Sequence, residues 1–372
     1  MAKGQLTAVH SPVLDAVRKL TPQIAERAGE IEDNRCVPAD LIQDLAEAGA
    51  FRIFVPKMYG GEESDPITAF HVIEEVAKAD GSAGWNVMVN ADFAPVLARF
   101  PRETLDEIYG SGPDAYARGA LAPKGVAVAV DGGYVAQGRW PLASGSYEHR
   151  WAVGNCIVLD DGQPRMKPSG IPEMRLVVVP ADGAEIIPTW DAVGMRGTCS
   201  DDIVIGEQFV PERRAADIFG GQSILQTTLY QIPPRTLLGP THVAVVAGIA
   251  QGAIDDIAEL AKTKRPAFNP LARLAADPVF QHKLGQLRTR LAAVRALTLD
   301  YAARIWESAL AGQPSPPEEV LTCRSAVTYG HAECVAIVNE AFSIAGSSSI
   351  YNSSSLQRRW RDARVAAQHA AA

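Results

Sequence analysis

With 372 residues the chain exceeds one ordinary domain and can bury two or three cores or one large composite fold. Its 47% hydrophobic and 21% charged residues exclude a disordered chain, and a net charge of −8 with dispersed basic residues excludes a broad positive surface for nucleic acid. No apolar run approaches the roughly 20 residues of a spanning helix, and MAKGQLTAVHSPVLDAVRKL is amphipathic rather than a leader, so the expectation is a cytoplasmic protein without a membrane partner.

The first 115 residues carry a helical pattern. PADLIQDLAEAGAFRIF (38–54) and DPITAFHVIEEVAKADGSAGWNVMVNADFAPVLARF (65–100) repeat apolar residues at three- and four-residue spacing between Gly and Pro breaks. The period then falls toward two over residues 116–220. VAVAVDGGYVAQGRW (126–140) predicts a hairpin at Asp131-Gly132-Gly133, and short Val/Ile-rich runs follow without intervening helices, which excludes a doubly wound parallel sheet. Over residues 221–372 three long helical segments return, from Leu237, Val279 and Pro316, and the arginine-rich end makes a fourth, a pattern suited to a bundle. The predicted architecture is α+β: an N-terminal helical domain, a middle β domain and a C-terminal four-helix bundle.

Several chemistries lack their usual signatures. There is no GxGxxG after a strand, no phosphate loop, no HExxH and no GxSxG elbow. The five cysteines, Cys36, Cys156, Cys199, Cys323 and Cys334, are scattered and odd in number, which argues against a disulfide framework or a zinc site. No metal is expected.

Four stretches carry a resemblance: YGGEESDPITAFHVIEEVAKADGSAGW (59–85), GRWPLASGSYEHRW (138–151), WDAVGMRGTCSDDIVIGEQFVPERR (190–214) and LQRRWRDARVAAQH (356–369). In this order and spacing they resemble the acyl-CoA dehydrogenase fold and, within it, the two-component (group D) flavin-dependent monooxygenases. The branch is chosen by what is missing. Acyl-CoA dehydrogenases usually place a glutamate base a few residues past the Arg-Asp pair, where this chain reads Ala366-Ala367-Gln368-His369. Their flavin-contacting run in the β domain is replaced by GALAPKG (119–125).

The resemblance implies an oxygenase component with a middle β-barrel or sandwich. It would use reduced flavin (FADH2 or FMNH2) and O2, through a C4a-hydroperoxide, to hydroxylate or epoxidise a small aromatic or heteroaromatic substrate, indole-like or phenolic. A separate NAD(P)H-dependent flavin reductase and a homotetramer are implied with it. An acyl-CoA dehydrogenase-like oxidoreductase with its base elsewhere, for example Glu212 or Glu340, is the alternative, and a non-catalytic flavin-binding or assembly protein is a second.

By the same resemblance His369 sits near the flavin C4a, a role that suits an imidazole because its pKa near 6.5 lets it exchange protons at neutral pH. On a continuing helix it would share a face with Val365 and Asp362; composition alone would read it as a frayed tail. Ser144 would contact flavin or substrate and Trp140 would pack on the ring, unless Trp140 is a core residue and 141–145 a plain turn. Arg265, with Gln281, would hold a flavin phosphate across a subunit interface, or cap a helix end. Arg361, paired with Asp362, would touch the flavin or tie down the last helix, and Arg358 can pair with Asp362 at i, i+4. Asn90 stands where several relatives carry a substrate-facing histidine; an amide cannot take a proton, which favours an electron-rich heteroaromatic such as indole, unless Asn90 is a plain polar helix residue.

Overall fold

A computed structural model describes residues 11–369 except residues 147, 221, 266–270 and 314–315. The first ten residues of the amphipathic start and the closing alanines lie outside them. The opening is helical: α1 (Pro12–Glu26), α2 (Ala28–Asn34), α3 (Ala39–Glu47), α4 (Pro66–Ala79), α5 (Gly81–Leu97) and α6 (Arg102–Tyr109). Asp80 breaks the expected 65–100 segment in two. Its backbone is extended (φ −146°) and its carboxylate caps α5 by accepting from the Ala83 N–H at 2.9 Å, satisfying one of the donors every helix start leaves open. α5 has apolar residues all round and is buried along almost its whole length, as such a helix must be.

The β domain contains β1 (Ala117–Val130), β2 (Gly133–Trp140), β3 (Trp151–Asp160), β4 (Gln163–Pro164), β5 (Met174–Pro180), β6 (Glu185–Ile187), β7 (Asp202–Pro211) and β8 (Ala215–Ala216). The strand order is β6-β7-β2-β1-β3-β5-β8, with β4 on β3. The expected hairpin forms, with Val130 opposite Gly133 and Gly132 turning the chain at φ +75°. β1 also pairs in parallel with β3, which alternation in one strand cannot reveal. The 141–150 connection therefore crosses the end of the sheet, and it delivers Ser144 there. Val177 and Val179 of β5 meet Ile203 and Ile205 of β7 around Trp140 although the two strands are not sheet neighbours, so the sheet curls around its own core.

The last third comprises α7 (Thr228–Gln231), α8 (Pro234–Thr263), α9 (Pro278–Leu310), α10 (Pro317–Ala345) and α11 (Ser355–Ala366). α8 corrects the reading that no segment is apolar enough to span a membrane. Its most apolar 18-residue window has a mean hydropathy of 1.5, but 89% of that window is buried, which makes α8 the central core helix. α4 lies against it so closely that a Cβ on Gly248 would stand 2.5 Å from the Glu74 carbonyl. The buried core therefore runs without interruption through both helical regions, while the β domain keeps its own.

α11 is short and polar and is held by specific contacts. Arg359 reaches Asp256 at 2.7 Å and the Lys78 carbonyl at 2.8 Å. Arg361 pairs with Glu32 at 2.5 Å and donates to the Val193 carbonyl at 2.6 Å.

Candidate active site

α5, the 141–150 connection, the 195–201 loop, the start of α8 and the turn after α11 converge. The two loops take their shape from strain and a buried cation. Leu142, Met195 and Cys199 all sit at positive φ (59°, 52° and 50°), a conformation that non-glycine residues hold only when their surroundings impose it. Arg118, fully buried, supplies part of that constraint: it donates to the Ala143 carbonyl at 2.8 Å, to the Cys199 carbonyl, and to Asp201 at 3.3 Å. Asp201 in turn accepts from the Thr189 and Trp190 N–H groups, both at 2.9 Å.

The loops place Ser144 at the head of a hydroxyl chain. The Trp85 indole N–H donates to Ser144 Oγ at 3.0 Å, Ser144 and Ser200 are 2.7 Å apart, Ser200 and Thr198 are 2.7 Å apart, and Thr198 donates to the Met195 carbonyl at 2.8 Å. A carbonyl only accepts and a hydroxyl has one proton, so the direction of the whole chain is fixed from its far end. Thr198 gives its proton to Met195, Ser200 to Thr198 and Ser144 to Ser200. Toward a ligand Ser144 is therefore an acceptor.

His369 follows α11 in a turn, its backbone N–H donating to the Ala366 carbonyl at 3.3 Å. The helix ends at Ala366, so the single face expected to run from Asp362 through Val365 to His369 does not form. The ring nonetheless docks. It stacks on His242 with centroids 4.5 Å apart and planes 25° apart, and Trp85 meets both rings edge-on, at 5.5 Å from His369 and 5.9 Å from His242. Burial, with His369 and His331 adding to it, pushes His242 down to about 3. Surrounding protein and then the His331 imidazole hold His369 below its ordinary value, although its outer surface is exposed.

Asn90, on α5, is half-buried. Its amide N–H donates to the Asn86 carbonyl at 2.9 Å and its buried Oδ1 has no hydrogen-bond partner.

The other sequence candidates lie apart from this group. Trp140 is fully buried in the β core and donates to the Asn155 carbonyl at 2.9 Å, while Gly125, Gly138 and Gly154 crowd its ring, so its faces are spent on packing rather than on a flavin. Arg361 is engaged by Glu32, Val193 and Gln357, and its neighbour Asp362 accepts from the Met195 N–H at 2.6 Å instead of pairing with it. Arg265 and Gln281 sit at the opposite end of α8 and the start of α9, donating to the Leu271 carbonyl at 3.3 Å and the Ala275 carbonyl at 2.9 Å. Glu340 pairs with Arg290 at 2.9 Å and Glu212 lines a surface recess beside Arg99 and Arg213, so neither supplies a base here. Among the described residues no cluster of His, Cys, Asp or Glu could hold a metal.

Trp85, Asp92, Thr198, Ser200 and His242 escaped the sequence reading. Trp85, Thr198 and Ser200 lie inside quoted stretches, but His242 sits in an apolar helical run where one histidine reads as core.

The family models for the acyl-CoA dehydrogenase N-terminal domain and C-terminal domain match residues 7–110 and 240–372. An indole-3-acetate monooxygenase from Pseudomonas putida is 33% identical over 96% of this chain and 88% of its own length. The crystal structure of 3-HSA hydroxylase from Rhodococcus sp. RHA1 matches with a TM-score of 0.89 at 27% identity, over 97% of this chain and 93% of that one. XiaF from Streptomyces sp., in complex with FADH2 and glycerol, matches with a TM-score of 0.88 at 27% identity, over 96% and 91% of the two chains.

Proposed function

The chain belongs to the flavin-dependent monooxygenases built on the acyl-CoA dehydrogenase fold, and we propose that it hydroxylates or epoxidises a small aromatic or heteroaromatic substrate as the oxygenase component of a two-component system. The carrying observation is an imidazole, His369, stacked at the mouth of α11 and α8, where acyl-CoA oxidation would need a carboxylate base. The donor set suits a flavin: a hydroxyl that can only accept, a neutral imidazole and an indole edge, with no metal cluster among the described residues. Bound reduced flavin, FADH2 or FMNH2, supplies the electrons that activate O2.

Ser144, held in place by Trp85, would accept a hydrogen bond from the flavin or from the substrate. His369 takes the proton the substrate gives up, a step open to it because its neighbours keep it unprotonated. Asn90 offers its unpartnered Oδ1 to a substrate N–H or O–H and orients it without removing the proton. That favours an indole-like ring, whose carbon attacks an electrophilic oxygen without prior ionisation, over a phenol that must ionise.

Arg265 and Gln281 would serve a second copy. His242 and the end of α8 at Thr263 are about 30 Å apart at 1.5 Å per residue, beyond the reach of one extended flavin dinucleotide, so a phosphate held by Arg265 belongs to a partner's flavin. That division needs at least two copies, and we propose the homotetramer that the resemblance implies, with exposed Val279, Leu297 and Leu310 of α9 available for it. The chain carries no nicotinamide-binding signature, so a separate NAD(P)H-dependent reductase supplies the reduced flavin. The buried thiols Cys156, Cys323 and Cys334 fit a reducing compartment, the cytoplasm.

The test is to mix the protein with chemically reduced flavin, 18O2 and indole-type or phenolic candidates, and to follow the label. One labelled oxygen atom in the aromatic product is expected, with less product per flavin oxidised in His369→Ala. Flavin oxidation with no label in any aromatic would sink the reading.

A further inference from the structure

We propose that His242 is a positioning residue for His369, its ring the platform that fixes the plane and the surroundings of the His369 imidazole. The inference rests on the role given to His369 above. The two rings are stacked at 4.5 Å, and Trp85 closes the edge of both. Such a platform works only if His242 itself stays neutral, since a proton on one ring repels a proton on the other.

The hydrogen bonds around His242 arrange this. Its Nδ1 lies 2.8 Å from the Leu238 carbonyl, which can only accept, so Nδ1 carries the proton and Nε2 is the bare nitrogen. Asp92, on α5, would be the counter-ion that charges His242, but its Oδ2 stands 3.7 Å from Nδ1, beyond a hydrogen bond. Burial, opposed only by one shared hydroxyl, favours Asp92 as a neutral acid. The Thr241 hydroxyl has one proton and two acceptors within reach, the Leu238 carbonyl at 2.7 Å and Asp92 Oδ2 at 3.1 Å. Asp92 Oδ1 is buried with no partner, an arrangement a carboxylate would not survive. Burial also raises the Asp92 pKa well above the carboxylate range.

Among the described residues a further titratable neighbour is His331 on α10, buried, with its Nδ1 2.9 Å from the Val327 carbonyl and its Nε2 without a partner. It too is a neutral imidazole, held below its ordinary value by burial. His369 is thus the one ring of three open enough to exchange a proton, and His242 keeps it in place to do so.

The test needs no flavin and no turnover. Protein labelled with 13Cε1-histidine is titrated by NMR from pH 4 to 8. Expected are a His369 midpoint below its ordinary value and a His242 signal that stays in the Nδ1–H form throughout. In His242→Ala the His369 midpoint should rise by about half a pH unit or more, roughly threefold in proton affinity, as solvent replaces the stacked ring. His242→Phe offers a flat ring and should keep it low. Asp92→Asn, whose amide oxygen can still accept from Thr241 and which carries no charge, should leave His242 silent. The proposal is overturned if His242 titrates at or above its ordinary value in the wild type, or if His369 keeps one midpoint through wild type and His242→Ala. Should His242→Ala not fold, the wild-type and Phe titrations still decide. Failure of oxygenation would leave these midpoints untouched, so the two readings fail separately.

Discussion

Ser144 has no spare proton, and that single property constrains what the site can hold. Its Oγ takes the Trp85 N–H and its own proton is committed to Ser200, in a position that is only 7% exposed. Replacing it by alanine strands a buried indole donor, which costs about 1–3 kcal/mol and should lower the urea midpoint together with the affinity for reduced flavin. Trp140 sets the contrasting case at the same scale. Trp140→Phe loses the hydrogen bond to Asn155 and leaves a partial void among three glycines, so about 1–3 kcal/mol of stability should go while reduced-flavin affinity holds. A fall in flavin affinity without a fall in stability would put the indole back on the ring. The difference between the two residues was not legible in GRWPLASGSYEHRW, because a strand's inward face and a ligand-facing face look alike until the sheet is seen to curl around position 140.

α11, at 12 residues, is too short to persist on its own and depends on what its side chains reach. Its sequence suggests an i, i+4 pair between Arg358 and Asp362, yet Asp362 bonds to the Met195 N–H, 167 residues away in sequence. Partners at that separation carry no local periodicity and cannot be read from one chain, whereas the helix itself and its place in the bundle can. The Asp362 contact has a measurable sign. Burial first, and the nearby Asp80 second, raise Asp362 to about 7, so the folded chain holds a proton that the unfolded chain releases above the ordinary 3.8. The stability this gives is fully present below 3.8 and is lost as pH rises through about 7. Asp362→Asn keeps an oxygen for Met195 and has no proton to lose. Its urea stability should therefore gain on the wild type between pH 4 and 7, by at most about 1.4 kcal/mol per pH unit, and parallel curves would mean the carboxyl is already ionised.

Across the whole molecule, the alternation of periods in the sequence is enough to order the three regions, but not to show that the first and third share one core. That union comes from α8, whose apolar surface on every side demands neighbours from both α4 and α10, and it brings His242 to a turn contributed by the extreme end of the described chain. The same length of α8 separates the two candidate flavin contacts, His369 near its start and Arg265 past its end. If Arg265 serves a partner's flavin, a complete site needs residues from two copies, and defects in different copies should complement. In a mixed oligomer of His369→Ala and Arg265→Ala chains, each unlike pair contains one site with both groups intact and one with neither. Random pairing of equal amounts then restores about a quarter of the sites, although each variant alone is impaired. Product formed per flavin oxidised, measured before and after co-expression of the two variants, checks this. Recovery toward that fraction is the expected outcome, and a mixture no better than the mean of its parents would assign Arg265 to its own chain's surface.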